Sequence, residues 1–202
     1  DFKGFEKMRD DLKSAPKYGN DDDYADDIMV SVFNEYKDYI TGRPTTRGGV
    51  YHVDMLPTTC HVYFGDVMIA SPNGRLAHIP LSEGISPEKG ADINGPTAVV
   101  KSCSKMNHCE TGGTLLNQKF TPAAIAGEKG IDNLAALIRS YFAMNGHHMQ
   151  FNVIDRQTLI EAQKNPEEYK ELIVRVAGYS DYFRNLDKPL QNEIIERTEQ
   201  SF

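Results

Sequence analysis

The chain has 202 residues, 40% hydrophobic and 25% charged, the proportions of an ordinary globular protein with room for one large domain or two small ones. Its net charge of −7 carries no long Lys/Arg block to offset it, which excludes a general nucleic-acid binder. No apolar run is long enough to span a bilayer, and the first residues do not have the form of a secretory signal.

Asp1 in place of Met points to a processed or cut N-terminus. The three cysteines, Cys60, Cys103 and Cys109, are odd in number and lack paired spacing. They are expected to be free thiols, buried or inert, in a reducing compartment. Cys103 and Cys109 flank His108, but the spacing matches no standard zinc pattern.

In chain order, residues 1–19 read as a short helix and a loop. Asn20 is a plausible N-cap, with Asp21, Asp22 and Asp23 in the first turn, where negative charge suits the helix dipole. The acidic cluster lacks the glycine and distal glutamate of a calcium loop. Ile28, Val32, Tyr36 and Ile40 recur every four residues, which marks a buried face on a helix ending near Gly42-Arg43-Pro44. Gly49–Met55 and Cys60–Phe64 read as strands, and Asp66–Ala70 as extended chain. Pro72-Asn73-Gly74 is a turn, since proline presets φ and Asn-Gly accept positive φ. Residues 71–96 are rich in Gly, Pro and Ser and predict long surface loops. A helix is expected over Thr97–Lys105.

Leu115–Phe120 is a short apolar strand or turn. Thr121-Pro122 is an N-cap followed by proline at the first helical position. Ile131–Ala143 predicts a helix with Leu134, Leu137, Ile138, Tyr141 and Phe142 on one side. Met149–Ile154 alternates like a strand. Asp155 caps a further helix through Leu159, Ala162 and Gln163, and Asn165-Pro166 starts a turn. The last helix spans about Pro189–Thr198. His147 and His148 are adjacent, and adjacent residues on a strand point to opposite faces. They are therefore not expected to share a metal ion.

The string Ile173-Val174-Arg175-Val176-Ala177-Gly178-Tyr179-Ser180 carries the chemistry. An isolated glycine after an apolar run is commonly a turn residue with positive φ. The same glycine also suits a backbone radical. An α-carbon that holds an unpaired electron is stabilised when planar, and a side chain would crowd that geometry.

The string resembles the signature of the glycyl radical enzymes. Further segments match in the family's order: Ser71-Pro72-Asn73-Gly74-Arg75, Leu81–Pro87, Gly112–Asn117 with Lys119–Pro122, and Gly146–Val153. The resemblance implies an α/β protein in which residues 1–110 are the last segments of a ten-stranded α/β barrel. Residues 111–202 would be the glycyl radical domain. Gly178 would store the radical as a post-translational cofactor. Arg175, Tyr179 and Ser180 would support its loop, and Thr58, after Leu56-Pro57, would face the substrate; a turn hydroxyl bonded to its own backbone is the other reading of Thr58.

No metal is expected in this chain. S-adenosylmethionine and an iron–sulfur cluster would belong to a separate activating enzyme, which reaches Gly178 when the radical domain swings out. None of the three cysteines stands in a Gly-Cys-x-Glu loop, so the thiyl-forming cysteine would lie on a larger catalytic part. The resemblance further implies a dimer of the assembled enzyme in the cytoplasm of an anaerobic bacterium, and a small-molecule substrate.

Glu83–Pro87, Gly95–Val99 and the tail Arg197–Phe202 resemble the dehydratase and carbon–nitrogen lyase branch. That implies removal of water from trans-4-hydroxy-L-proline to give a pyrroline carboxylate, with glycerol or choline as alternative substrates. A stand-alone radical-domain partner that repairs an oxygen-cleaved enzyme is the other functional class. An open piece of barrel is also expected to be poorly soluble alone, because strand edges and an apolar face are left uncovered.

Overall fold

The computed structural model describes residues 3–202. Helix α1 (Phe5–Ser14) leads through a loop to α2 (Asp23–Ile40). Asp22, not Asn20, caps α2: its Oδ1 accepts from the N–H groups of Tyr24 and Ala25 at 3.0 and 3.4 Å. Asn20 instead staples a loop, accepting from the Ile93 and Asn94 N–H groups at 2.8 and 3.1 Å.

The face expected to be buried on α2 is mostly outside. Ile28, Val32 and Tyr36 are exposed, and the helix buries Asp26, Phe33 and Lys37. A polar anchor sets the rotation. Asp26 is fully buried, accepting from Ser102 Oγ at 2.8 Å and from Lys105 Nζ at 2.7 Å. A buried carboxylate must be paired, and the apolar stripe on the other side of α2 is left uncovered in this chain.

Gly49–Met55 yields only a two-residue strand, β1 (Asp54–Met55), which runs parallel to β2 (Gly113–Thr114). Cys60–Phe64 is not a strand; it opens helix α3 (Cys60–Val67), which also takes in Asp66. Short apolar runs fit either element, and here tertiary contact decides. The Ile79–Pro80 backbone lies so close to Gly65 that a Cβ there would sit 2.4 Å from Ile79 O. The turn at 71–75 forms as expected, with the Gly74 N–H donating to Ser71 O at 3.1 Å. Loops continue to α4 (Pro96–Ser104).

The parallel unit comes next. Strand β3 (Leu116–Phe120) is followed by a 3-10 turn at Pro122–Ile125, where Thr121 Oγ1 accepts from the Ala124 N–H. Helix α5 (Gly127–Ala143) then crosses over to β4 (Met149–Val153), which pairs parallel with β3 from Leu116↔Met149 to Phe120↔Val153. Of the side expected to be buried on α5, Leu137 and Tyr141 are buried while Phe142 is exposed. Asp155 caps α6 (Arg156–Lys164), accepting from the Thr158 N–H at 2.8 Å. A hairpin of β5 (Ile173–Arg175) and β6 (Ser180–Tyr182) precedes α7 (Lys188–Glu196). β7 (Glu199–Gln200) closes the sheet in the order β4-β3-β7. The architecture is α/β.

Two apolar clusters hold the molecule. The first joins Phe33, Val53, Ile85, Val99, Val100 and Cys103 to Leu116, Phe120, Leu137 and Tyr141, so it draws on both sides of position 110. The second is built from α6, the hairpin and α7, with Leu159, Val174, Val176, Phe183, Ile194 and Ile195 at its centre. Each fully buried aliphatic or aromatic side chain contributes about 1.5–3 kcal/mol. Lys119 links the clusters: it is 1% exposed and donates to Ile195 O at 3.0 Å.

Candidate functional site

Gly178 sits in the turn between β5 and β6. The Val176 N–H donates to Tyr179 O at 2.8 Å and closes the turn. Gly178 has φ +81, a left-handed conformation that costs a residue with a Cβ roughly 1–2 kcal/mol. A Cβ built at Gly178 would lie 3.3 Å from Leu56 Cδ1 and 3.7 Å from Leu115 Cδ1. The two leucines form a shallow apolar seat for the α-carbon. Gly178 itself is exposed among the described residues.

Besides the β5–β6 pairing, side chains hold the backbone flanking the glycine. Asn152 makes a two-way pair with Arg175: its Oδ1 accepts from the Arg175 N–H at 2.8 Å and its Nδ2 donates to Arg175 O at 2.7 Å. Asn117 Nδ2 donates to Val176 O at 3.2 Å. Gln150 Oε1 accepts from the Gly178 N–H at 3.3 Å and from Arg175 Nε at 2.7 Å. Gln150 in turn donates to Asn117 Oδ1. The side-chain amides of β3 and β4 thus hold the loop as a third strand would.

A loop of the preceding segment closes the lower side. Gly84 has φ +54, and a Cβ there would meet Leu115 O at 2.2 Å. That approach lets the Ile85 N–H donate to Leu115 O at 2.9 Å and Ser86 Oγ accept from the Asn117 N–H at 2.9 Å. Glu83 is buried beside this contact. Burial pushes its carboxyl up to about 7, against the pull of Arg197.

Residues 81–184 match the family model described as Glycine radical, and residues 1–65 match that described as Pyruvate formate lyase-like. The chain belongs to the glycyl radical family. It is 65% identical over all 202 residues to the trans-4-hydroxy-L-proline dehydratase of Clostridioides difficile, of which it covers 26%. The crystal structure of that dehydratase with trans-4-hydroxy-L-proline bound superposes with a TM-score of 0.96, over 100% of this chain and 26% of that one. The glycerol-bound B12-independent glycerol dehydratase of Clostridium butyricum is 48% identical, with a TM-score of 0.96 and the same shares covered. The chain therefore spans about a quarter of the length of these relatives.

Within this glycyl radical family chain, Arg175, Tyr179 and Ser180 lie in the hairpin that carries Gly178, and Thr58 follows the Leu56 segment that seats it. Arg175 lies at the end of β5 and donates to Ser180 Oγ at 3.3 Å across the hairpin. Tyr179 packs on the second apolar cluster and lines an open cleft of about 770 Å³ with Val62, Asp66, Leu186 and Glu193. Thr58 is exposed with φ +57, two residues after the Leu56 that seats Gly178. The cysteines do not converge: Cys60 and Cys109 are exposed and Cys103 is buried. The expectation of buried thiols thus holds for Cys103 alone. Among the described residues no group of three His, Cys, Asp or Glu side chains is placed to hold a metal.

Sequence reasoning missed Asn117, Gln150, Asn152 and Arg197 as holders of the loop. A signal for two of them was present. In the alternation of β4 the apolar Met149 and Phe151 are half-buried, while Gln150 and Asn152 are the buried pair. Amides on the inward face of a strand need partners, and the β5–β6 hairpin supplies them.

Proposed function

We propose that this chain is the radical-carrying C-terminal part of a glycyl radical dehydratase that removes water from trans-4-hydroxy-L-proline to give a pyrroline carboxylate. The observation that carries the reading is the 65% identity along the whole chain to an enzyme of that activity, joined to a glycine at the hairpin tip whose flanking amides are individually held. Gly178 is the radical site. When formed there, the radical supplies hydrogen-atom abstraction, and a cysteine on the larger catalytic part passes that reactivity to the substrate. The residues present suit such a group: the three atoms nearest a Cβ built at Gly178 are methyl carbons of Leu56 and Leu115, which do not hydrogen-bond.

Arg175 and Ser180 brace the two strands, and Tyr179 anchors the far side of the turn in the second cluster. Thr58 stands where the β1 segment leaves the Leu56 seat and is assigned to the substrate side. Residues 1–110 complete a ten-stranded barrel whose remaining strands lie on the larger part, and residues 111–202 form the radical domain. The division is one of function, since the first apolar cluster crosses it. A radical S-adenosylmethionine enzyme with an iron–sulfur cluster generates the radical, and the assembled enzyme is a cytoplasmic dimer of an anaerobe. The match of residues 1–65 to the pyruvate formate lyase-like model favours this reading over a stand-alone repair partner.

The test is electron paramagnetic resonance of the anoxic, activated full-length enzyme. A doublet from one α-hydrogen is expected, absent in Gly178→Ala, together with consumption of trans-4-hydroxy-L-proline in preference to glycerol or choline. Air exposure of the activated enzyme is expected to cut the chain at Gly178. An intact chain after air exposure of a spin-bearing sample overturns the assignment of Gly178. Turnover of glycerol or choline alone overturns the substrate.

A further inference from the structure

Arg197 lies 19 positions beyond Gly178 and is 7% exposed. It follows α7, the helix that carries Glu193 one turn earlier. The guanidinium is shared between two tasks. Nε donates to both Glu193 oxygens at 3.2 Å, and Nη2 donates to Glu193 Oε2 at 2.8 Å. Nη2 also donates to Val176 O at 2.9 Å, and Nη1 to Arg175 O at 3.3 Å. One planar fork therefore grips the last two carbonyls of the polypeptide before Ala177 and Gly178. A guanidinium presents such donors in fixed geometry, whereas an ammonium is a single point charge.

The carboxylate that holds the fork is itself enclosed. Glu193 is 1% exposed, and His61 Nε2 from α3 lies 3.7 Å from its Oε2. Glu83 is 4% exposed and stands on the far side, with its Oε2 lacking a hydrogen-bond partner. A charge set of this kind is costly to bury. What the ions add is direction. Val176 O accepts from Arg197 and from Asn117, two donors on different elements, so the peptide plane that leads into Ala177–Gly178 cannot rotate without breaking one of them.

We propose that Arg197, locked by Glu193, is a positioning residue for the radical site: it fixes the orientation of the Val176 peptide and thereby where the Gly178 α-carbon points. The proposal rests on Gly178 being the radical site and extends it to a residue outside the hairpin. Arg197 touches neither substrate nor the reacting carbon; its effect is carried by the two carbonyls.

The test uses the full-length enzyme with Arg197→Lys, which keeps the positive charge and loses the fork. Amide hydrogen exchange of the unactivated enzyme is read first, since it does not depend on the radical. Exchange in peptides covering residues 173–182 is expected to rise at least tenfold, with α5 and β4 unchanged. In the activated enzyme, turnover per unpaired spin is expected to fall at least tenfold at unchanged KM. A merely structural role would raise exchange throughout and lower the spin yield, leaving turnover per spin as it was. Wild-type exchange in the hairpin, or wild-type turnover per spin, overturns the positioning role. Failure of the Gly178 assignment is read separately, as a doublet that persists in Gly178→Ala. Should Arg197→Lys lose its cooperative melt, Glu193→Gln keeps the arginine but weakens its hold. Faster hairpin exchange and lower turnover per spin in Glu193→Gln then support the positioning role, and wild-type values of either overturn it.

Discussion

Gln150 and Gly178 are joined by a hydrogen bond from the glycine N–H to the amide oxygen, at 3.3 Å, and the same oxygen takes Arg175 Nε at 2.7 Å. One side chain of the parallel sheet thus sets both the backbone of the tip and the arginine that braces it. Gln150 is 6% exposed. Gln150→Leu leaves Asn117 Oδ1 buried without its donor, which costs about 1–3 kcal/mol. Denaturant unfolding measures it; a loss below about 0.5 kcal/mol would show that the network is not coupled to stability.

Gly178→Ala is expected to destabilise by roughly 1–2 kcal/mol, from the left-handed backbone alone. The added methyl meets Leu56 at 3.3 Å, but Leu56 is 43% exposed and has room to shift. Its steric share is therefore small. The variant should fold with a slightly lower midpoint and give no radical signal. A collapse of the fold would mean that the seat is tighter than these distances state.

The two buried glutamates give opposite responses to pH. Burial raises the Glu83 carboxyl from 4.5 to about 7. A raised acid favours folding fully below its unfolded value, and that contribution is lost as pH climbs from 4.5 to about 7, on the order of 3 kcal/mol. Burial also pushes Glu193 up, but the Arg197 charge outweighs it and brings the group from 4.5 to about 2. Its contribution is present above pH 4.5 and is lost as pH falls towards 2. Glu83→Gln should flatten the decline on the neutral side and leave the acid limb alone. Parallel stability curves for the variant and the wild type would refute the assignment.

Cys103 should be inert. It is fully buried, Tyr18 donates to its sulfur at 3.1 Å, and burial first of all pushes the thiol up to about 12. Cys60 and Cys109 are exposed. Iodoacetamide is expected to label two thiols in the folded 202-residue chain and the third only on unfolding. Mass spectrometry that finds Cys103 modified in the native state contradicts the buried placement.

Local signals in the sequence carried as far as local physics reaches. The Pro72-Asn73-Gly74 turn, the Asp155 cap, the Thr121-Pro122 start and the α5 and β4 segments are each decided by residues within a few positions of one another, and each stands where expected. Gly178 likewise takes the positive φ of a turn glycine, +81, because the missing Cβ is a property of the residue itself. Elements that depend on distant partners were not legible. The Ile28–Tyr36 stripe is apolar by pattern, yet within this chain it is exposed, while Asp26 on the same helix is buried against Ser102 and Lys105. Cys60–Phe64 reads as a strand but opens α3, whose Gly65 packs against the Ile79–Pro80 backbone.

The site divides in the same way. Sequence alone singled out Gly178 and its immediate neighbours as the candidate carrier of the chemistry. Only the tertiary structure brought Asn117, Gln150, Asn152 and Arg197 onto two consecutive carbonyls, Arg175 O and Val176 O, and two N–H groups, those of Arg175 and Gly178. Hydrogen-bond donors and acceptors 20 to 60 positions apart in the chain leave no periodic trace. Their pairing is settled by the burial that makes an unpaired polar group costly.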